Sequence, residues 1–164
     1  MYYYLIRTNE GWVGIAGAGK KIAILEFPKP TREEAEALII ERSGVDSESA
    51  SDFSGMADSI AAYFSGEKVD FDSPIDYGSA GEFDVSVWKA AREIPYGEVR
   101  SYAWVAERIG RPNSARAVGQ ALGRNPVPII VPCHRVIRSN GDLGGFSYDL
   151  DWKRRLLEKE SKSK

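Results

Sequence analysis

Hydrophobic residues at the start of the chain gather into three short β-rich runs, Tyr2–Arg7, Trp12–Ala16 and Lys21–Phe27. Asn9-Glu10-Gly11 and Gly17-Ala18-Gly19 separate them with turn-forming residues, which predicts an antiparallel meander. Pro28 and Pro30 close it. Thr31-Arg32-Glu33-Glu34 has capping-box spacing and predicts a helix to about Ile40, stopped near Ser43-Gly44. A second helix fits Ser54–Phe64, with Ile60, Ala61 and Phe64 on one side and Gly66 as its stop. The stretch Asp70–Glu82, holding Pro74, Gly78 and Gly81, has no period and is read as a linker between a domain of residues 1–69 and one of residues 83–164.

Beyond the linker the pattern turns helical in short pieces. Asp84 is placed to cap a helix through about Glu93, in which Val87, Trp88 and Ala91 recur at core spacing. Ser101 caps a helix over Tyr102–Ile109, ended by Gly110. After Arg111-Pro112-Asn113, either Asn113 or Ser114 caps a third helix to about Gly123. Two helices of about nine residues joined by a short glycine-containing turn form the helix-turn-helix pattern, whose second helix enters a DNA groove. Ser114, Ala115, Ala117 and Gly119 are small enough to let that helix approach a duplex closely, and Arg116 projects from the same turn. Asp149 or Asp151 caps a last helix through Glu160. The expected class is therefore α+β: a small α/β domain with antiparallel strands, then a mostly helical domain.

Charge sharpens this division. Residues 1–87 hold 7 Lys and Arg against 16 Asp and Glu, whereas residues 88–164 hold 15 against 8, so the overall −2 hides an acidic half and a basic one. Nucleic-acid affinity rests on local Lys/Arg density, and the basic half coincides with the helix-turn-helix. No window approaches the roughly 18 apolar residues that span a bilayer, and Met1–Arg7 lacks the features of a secretion signal. A cytoplasmic, monomeric chain is expected. A single cysteine, Cys133, forbids an internal disulfide, and with His134 as the only imidazole a Cys/His zinc site cannot be built. No metal and no cofactor are expected.

Cys133 stands in Pro132-Cys133-His134-Arg135, after the apolar run Ile129-Ile130-Val131. Pro132 lacks an N–H and breaks any ladder just before the thiol, and a continuous buried strand would hardly hold His134-Arg135, since unpaired buried charge is costly. The tetrapeptide reads as a site. The thiolate is the nucleophile, and His134 is the one base available at neutral pH. On a regular strand the two side chains point apart, so contact needs a turn or a bridging water. A buried carboxylate to orient the imidazole is sought on the terminal helix, where spacing leaves Glu158 and Glu160 equal.

Pro132-Cys133-His134-Arg135-Val136, preceded by Arg116-Ala117-Val118-Gly119 and Asn125-Pro126 and followed by Gly144-Gly145-Phe146-Ser147, resembles the O6-alkylguanine-DNA alkyltransferase family over about residues 83–160. The amino-terminal half is compatible with that family's small domain, which resembles ribonuclease H. The resemblance implies stoichiometric, irreversible transfer of an alkyl group from O6-alkylguanine, and from O4-alkylthymine, in double-stranded DNA to Cys133. It implies an extruded base, since the alkyl carbon is out of reach within the stack. By the same resemblance Arg116 takes the place of that base in the duplex, and Glu160 rather than Glu158 supports His134. Tyr102 donates to the purine ring, and Asn125 holds the turn that bears the cysteine. Val136, Gly144, Gly145, Phe146, Ser147 and Tyr148 line the pocket, and Arg135 ties the site to neighbouring groups. Phe146 stands where tyrosine is also usual and Asp149 where glycine is more expected, which bears on which alkyl groups fit. Two other readings are a lesion sensor without chemistry, whose members replace the cysteine, and a helix-turn-helix regulator with a redox cysteine. The regulator predicts palindrome-reading side chains, which the sequence lacks.

Overall fold

The computed structural model describes residues 1–49, 53–146 and 148–162. They form two compact units, Met1–Gly78 and Ser79–Lys164. The class is α+β, with antiparallel strands in the first unit and helices dominating the second. Among the described residues, no helix is long and apolar enough to cross a membrane.

In the first unit β1 (Tyr2–Thr8), β2 (Gly11–Ala18) and β3 (Lys21–Leu25) form an antiparallel sheet in that order. Tyr4 pairs with Ile15, Ile6 with Val13, and Ile15 with Leu25. Val13 and Ile15 are buried on one face of β2 and Ala16 on the other, so both faces are covered and simple alternation is lost. Helix α1 (Arg32–Ser43) lays Ala35 and Ile39 against Tyr3, Leu5 and Ala16. Its Thr31 hydroxyl accepts from the Glu34 N–H while the Glu34 carboxylate accepts from the Thr31 N–H, a complete capping box. Helix α2 (Ser54–Phe64) packs beside β1 and buries Ile60, Tyr63 and Phe64.

Two local expectations change. The stretch read as a linker is partly docked: Ile22 N–H donates to the Pro74 carbonyl at 3.0 Å and Asp76 N–H to the Ile22 carbonyl at 2.8 Å. A three-residue pairing to a distant strand leaves no period in the sequence. The helix α3 (Glu82–Arg92) begins after Gly81, not at Asp84. Asp84 lies within its first turn and accepts from Arg124 Nε and Nη2 at 2.8 Å each, so its carboxylate ties two helices instead of capping one.

The second unit continues with β4 (Arg100–Ser101), α4 (Tyr102–Arg108), α5 (Ala115–Gly123), β5 (Val136–Ile137) and α6 (Leu150–Lys162). Trp88 Nε1 donates to the Ala121 carbonyl at 2.9 Å and fixes α3 on α5. The Ser101 hydroxyl caps α4 by accepting from Trp104 N–H. Ser114 occupies the N-cap position before α5 but makes no side-chain cap bond. At the start of α6, Asp149 Oδ1 accepts from Asp151 N–H, so Asp149 is the cap. The two-residue strands β4 and β5 pair in parallel, Arg100 with Val136 and Ser101 with Ile137. This short ladder joins the entrance of α4 to the segment just past the cysteine.

The β2–β3 pairing shifts register between Ala16 and Gly17, where a Cβ on Gly17 would stand 2.1 Å from the Lys21 carbonyl oxygen. Gly17→Ala is expected to cost about 1–3 kcal/mol through this forced contact. An unchanged urea midpoint in equilibrium unfolding would contradict the bulge.

Candidate active site

The site begins with a turn. Pro132 leaves the extended path at ψ 63°, and Cys133–Arg135 wind into one 3₁₀ turn that the Val136 N–H closes on the Cys133 carbonyl. At three residues per turn, successive side chains leave the backbone in three directions rather than two. Cys133, His134 and Arg135 are thereby all buried, at 4%, 0% and 6% exposure. The run before them is a tight loop, not a strand: Val131 N–H donates to the Val127 carbonyl, and Ile129 sits at φ +74°. A β-branched residue in the left-handed region costs on the order of 1–3 kcal/mol and persists only where its surroundings enforce it. Asn125 does so. Its Nδ2 donates to the Val131 carbonyl at 3.0 Å and its Oδ1 accepts from Val127 N–H at 2.9 Å.

Helix α6 delivers the groups beneath this turn. Glu160, 1% exposed, accepts from His134 Nε2 at 2.5 Å, from Arg135 Nε at 2.8 Å and Nη2 at 3.2 Å, and from Gly97 N–H at 3.2 Å. Arg135 Nη1 also donates to the Ile94 carbonyl at 2.8 Å, and the guanidinium lies over the Tyr96 ring. Glu158 is exposed on the opposite side of the helix. Burial alone would raise the Glu160 pKa, but the His134 and Arg135 donors prevail and hold the carboxyl well below its usual range. Burial also keeps the His134 imidazole below its ordinary pKa, against the pull of Glu160. The arrangement is an ionised Glu160 facing a neutral His134 whose Nε2 carries the proton.

Sequence reasoning missed Lys153. Its ammonium is buried and donates to the carbonyls of Val136 at 2.8 Å, Leu143 at 2.5 Å and Gly145 at 3.1 Å, with the Tyr102 hydroxyl at 3.4 Å. Burial pulls its pKa down to about 8. The available signal was helical spacing: Lys153, Leu156 and Glu160 fall at i, i+3 and i+7, one stripe of α6, and all three are buried. Two charged residues on an inward stripe would have marked both.

Around the thiol lies a cavity of about 290 Å³ walled by Tyr102, Gly119, Leu122, Cys133, Phe146 and Tyr148, among others. The Tyr148 hydroxyl donates to the Asn125 carbonyl, and the Phe146 and Tyr148 rings lie 5.7 Å apart. Gly144, at φ +74°, passes so close to Tyr102 that a Cβ there would stand 2.6 Å from the hydroxyl oxygen. Burial pushes the Cys133 thiol up to about 11, while the Asn125 side chain and the Lys153 charge pull the other way. Burial, then the neighbouring Cys133, raise the Tyr102 hydroxyl. Arg116 is exposed on α5, with Ala115 and Ala117 partly covered beside it. Ser147 lies outside the described residues.

The geometry unites Cys133, Tyr102, Gly145, Phe146 and Tyr148 about one cavity, with Gly144 on the adjoining cleft and Asn125 tied to Tyr148, and it joins His134 and Arg135 through Glu160. The Val136 carbonyl accepts from Lys153 at the edge of this site. A buried thiol on a cavity wall, with a neutral imidazole as its neighbour, suits a nucleophile kept protonated until an electrophile fills the cavity. Among the described residues, no cluster of three or more His, Cys, Asp or Glu could hold a metal ion.

Comparison with known proteins matches both units. Residues 82–162 match the family described as 6-O-methylguanine DNA methyltransferase, DNA binding domain, and residues 1–77 that family's ribonuclease-like domain. A methylated-DNA–protein-cysteine methyltransferase of Mycobacterium tuberculosis is 41% identical over 160 residues, covering 98% of this chain and 92% of the relative. One from Methanosarcina acetivorans is 40% identical, covering 98% of each. The crystal structure of Mycobacterium tuberculosis OGT in complex with DNA superposes with a TM-score of 0.82 at 38% identity, covering 99% of this chain and 94% of that one.

Removing one partner of a buried charged cluster leaves the other uncompensated, at a cost of about 3–5 kcal/mol. Glu160→Gln, which strands Arg135, should therefore melt well below the parent at pH 7. Acid acts in the same direction. The folded state resists protonating His134, ordinarily 6.5, and Glu160, ordinarily 4.5, so the unfolded chain takes up those protons first. Stability should fall as pH drops below about 6.5 and again below about 4.5, and the second decline should be smaller in Glu160→Gln, which keeps only the contribution of other paired carboxyls such as Asp84. Parallel pH-dependent melts that coincide for the two proteins would refute the assignment.

Proposed function

The chain belongs to the O6-alkylguanine-DNA alkyltransferase family, and we infer that its Cys133 is the acceptor of the alkyl group. The protein binds DNA and repairs it by direct reversal, moving the alkyl group onto its own cysteine. The observation that carries the assignment of the acceptor is the single thiol of the chain opening onto a cavity walled by Tyr102, Gly119, Gly145, Phe146 and Tyr148.

A base stacked in a duplex cannot present its O6 substituent to a sulfur that is 4% exposed, so the lesion must leave the stack. Helix α5 supplies the surface for the duplex, with Ser114, Ala115, Ala117 and Gly119 allowing close approach and exposed Arg116 filling the gap. The extruded purine enters beside Cys133 between Tyr102 and the Phe146–Tyr148 wall. Its exocyclic amine meets the carbonyls of Cys133 and Val136.

Filling the cavity shuts bulk solvent out from the side of the thiol that faces the purine. The proton leaves Sγ for His134 through a bridging water, and the resulting imidazolium is stabilised by the Glu160 carboxylate already hydrogen-bonded to Nε2. The Lys153 ammonium, held near both Cys133 and Tyr102, favours the thiolate electrostatically. Sγ attacks the alkyl carbon in line. The S–C bond forms as the C–O6 bond breaks, and the electron pair returns to the purine, which takes a proton from Tyr102 and leaves as neutral guanine. A thioether has no acidic proton and leaves poorly, so nothing in the site regenerates the thiol and one molecule repairs one lesion. The presence of Cys133 excludes the lesion sensor of the same fold, which lacks the nucleophile.

Mixing the protein with an oligonucleotide duplex holding one O6-methylguanine should add one methylene unit to the peptide containing Cys133, reaching a plateau at one per protein. Product beyond one equivalent, or an adduct elsewhere, overturns the assignment. Arg116→Ala should slow repair of the duplex at least tenfold (roughly 1.4 kcal/mol) while sparing reaction with free O6-methylguanine base. Equal losses on both substrates would remove Arg116 from the extrusion step.

A further inference from the structure

Next to the thiol cavity lies a second, more open cleft of about 440 Å³, walled in part by Arg116 from α5 and by Arg138 and Ser139 just past β5. The two hollows share Tyr102, Gly119 and Gly145, so an extended ligand in the inner one continues into the outer. Arg138 stands on a closed turn: its N–H donates to the Asp142 carbonyl and its carbonyl accepts from Gly141 N–H, both at 2.9 Å. Its charge also reaches the Tyr102 hydroxyl, which it draws toward ionisation.

The pairing of arginines in this unit is uneven. Arg100, Arg108, Arg124, Arg135 and Arg154 each face a carboxylate within 3.4 Å. Arg116 and Arg138 have neither a carboxylate nor an aromatic partner among the described residues, and both border the one cleft that continues the thiol cavity. Two guanidiniums without a carboxylate partner among the described residues, lining one hollow with the Tyr102 and Ser139 side chains, form a site for an anion with several acceptor oxygens. A purine bound beside Cys133 carries its deoxyribose outward, and each deoxyribose is flanked by phosphodiesters.

Resting on the repair reading above, we propose that this outer cleft binds a phosphodiester adjoining the extruded nucleotide and that Arg138 is the residue that holds it. Arg116 serves the gap in the duplex, whereas Arg138 serves the strand that has left it. The inner cavity selects the base and the outer one anchors its backbone, so that the alkyl carbon is presented to Cys133 in a fixed register.

The test compares Arg138→Ala and Arg138→Lys with the parent protein on four substrates: free O6-methylguanine, an O6-methylguanine duplex, and that duplex with a single methylphosphonate on the 5′ or the 3′ side of the lesion. Arg138→Ala should repair the ordinary duplex about tenfold more slowly, with a salt dependence of binding shallower by about 0.9 in log–log slope, the mark of one lost phosphate contact. Its loss on the free base should be far smaller than on the duplex, reflecting only the charge that Arg138 directs at the Tyr102 hydroxyl. On one of the two methylphosphonate duplexes the parent should slow to match it. Arg138→Lys, which keeps the charge, should recover most of the loss. A loss of the same size on both neutralised duplexes, a matching loss on the free base, or no loss at all overturns the proposal while leaving the repair reading intact. If the parent protein transfers nothing to Cys133 from any of the four substrates, the repair reading falls and this one with it.

Discussion

A carboxylate and a guanidinium shut away from water set the terms for the rest of the second unit. Glu160 is ionised in an environment that would protonate an isolated acid, and it remains so because four donors from two other segments converge on its two oxygens. Those donors cannot be met piecemeal. The terminal helix must dock, the Cys133–Arg135 turn must wind, and the Gly97 turn must close together, since any subset leaves a buried charge exposed to its full desolvation cost. The cluster thus couples the carboxyl-terminal helix to the nucleophile's backbone, although Glu160 is 27 residues from Cys133 in sequence.

The same arrangement accounts for a site that is both inert and primed. A thiol pushed up to about 11 by burial resists oxidation and adventitious alkylation, because the thiolate is the reactive form. Around it stand the means to make that thiolate: a neutral imidazole with a carboxylate behind it, an ammonium within electrostatic reach, and Asn125. The strained Ile129 and the Asn125 bonds that enforce it show backbone stability given up to place one sulfur on a cavity wall. For a protein that reacts once, protection before the event matters as much as speed during it.

Lys153 adds a second constraint of the same kind. Its ammonium gathers three carbonyls, two of them from the glycine-containing loop 143–145, and brings that loop against Tyr102. The cavity is therefore shaped by one cation satisfied by main-chain oxygens rather than by apolar packing alone. Gly144 is required there by its left-handed backbone and by the tyrosine hydroxyl that leaves no room for a side chain.

Local rules were sufficient for much of this protein. Turn residues and capping spacing marked the meander, α1, α4 and α5 to within a residue or two, and the charge asymmetry with Pro132-Cys133-His134-Arg135 marked the reactive segment, because caps, breaks and unpaired charges act within a few residues. Long-range satisfaction decided what remained. Residues alone could not separate Glu158 from Glu160, since both are acids on one helix and only docking determines which faces inward. Asp84 resembled a cap until Arg124, 40 residues away, claimed its carboxylate. The docking of Pro74–Asp76 on Ile22, the two-residue ladder between β4 and β5, and the burial of Lys153 all depend on partners distant in the chain. Periodicity records which side of an element turns inward, but not which distant group will be there to receive a charge, and in this chain it is that meeting of charges which makes the site.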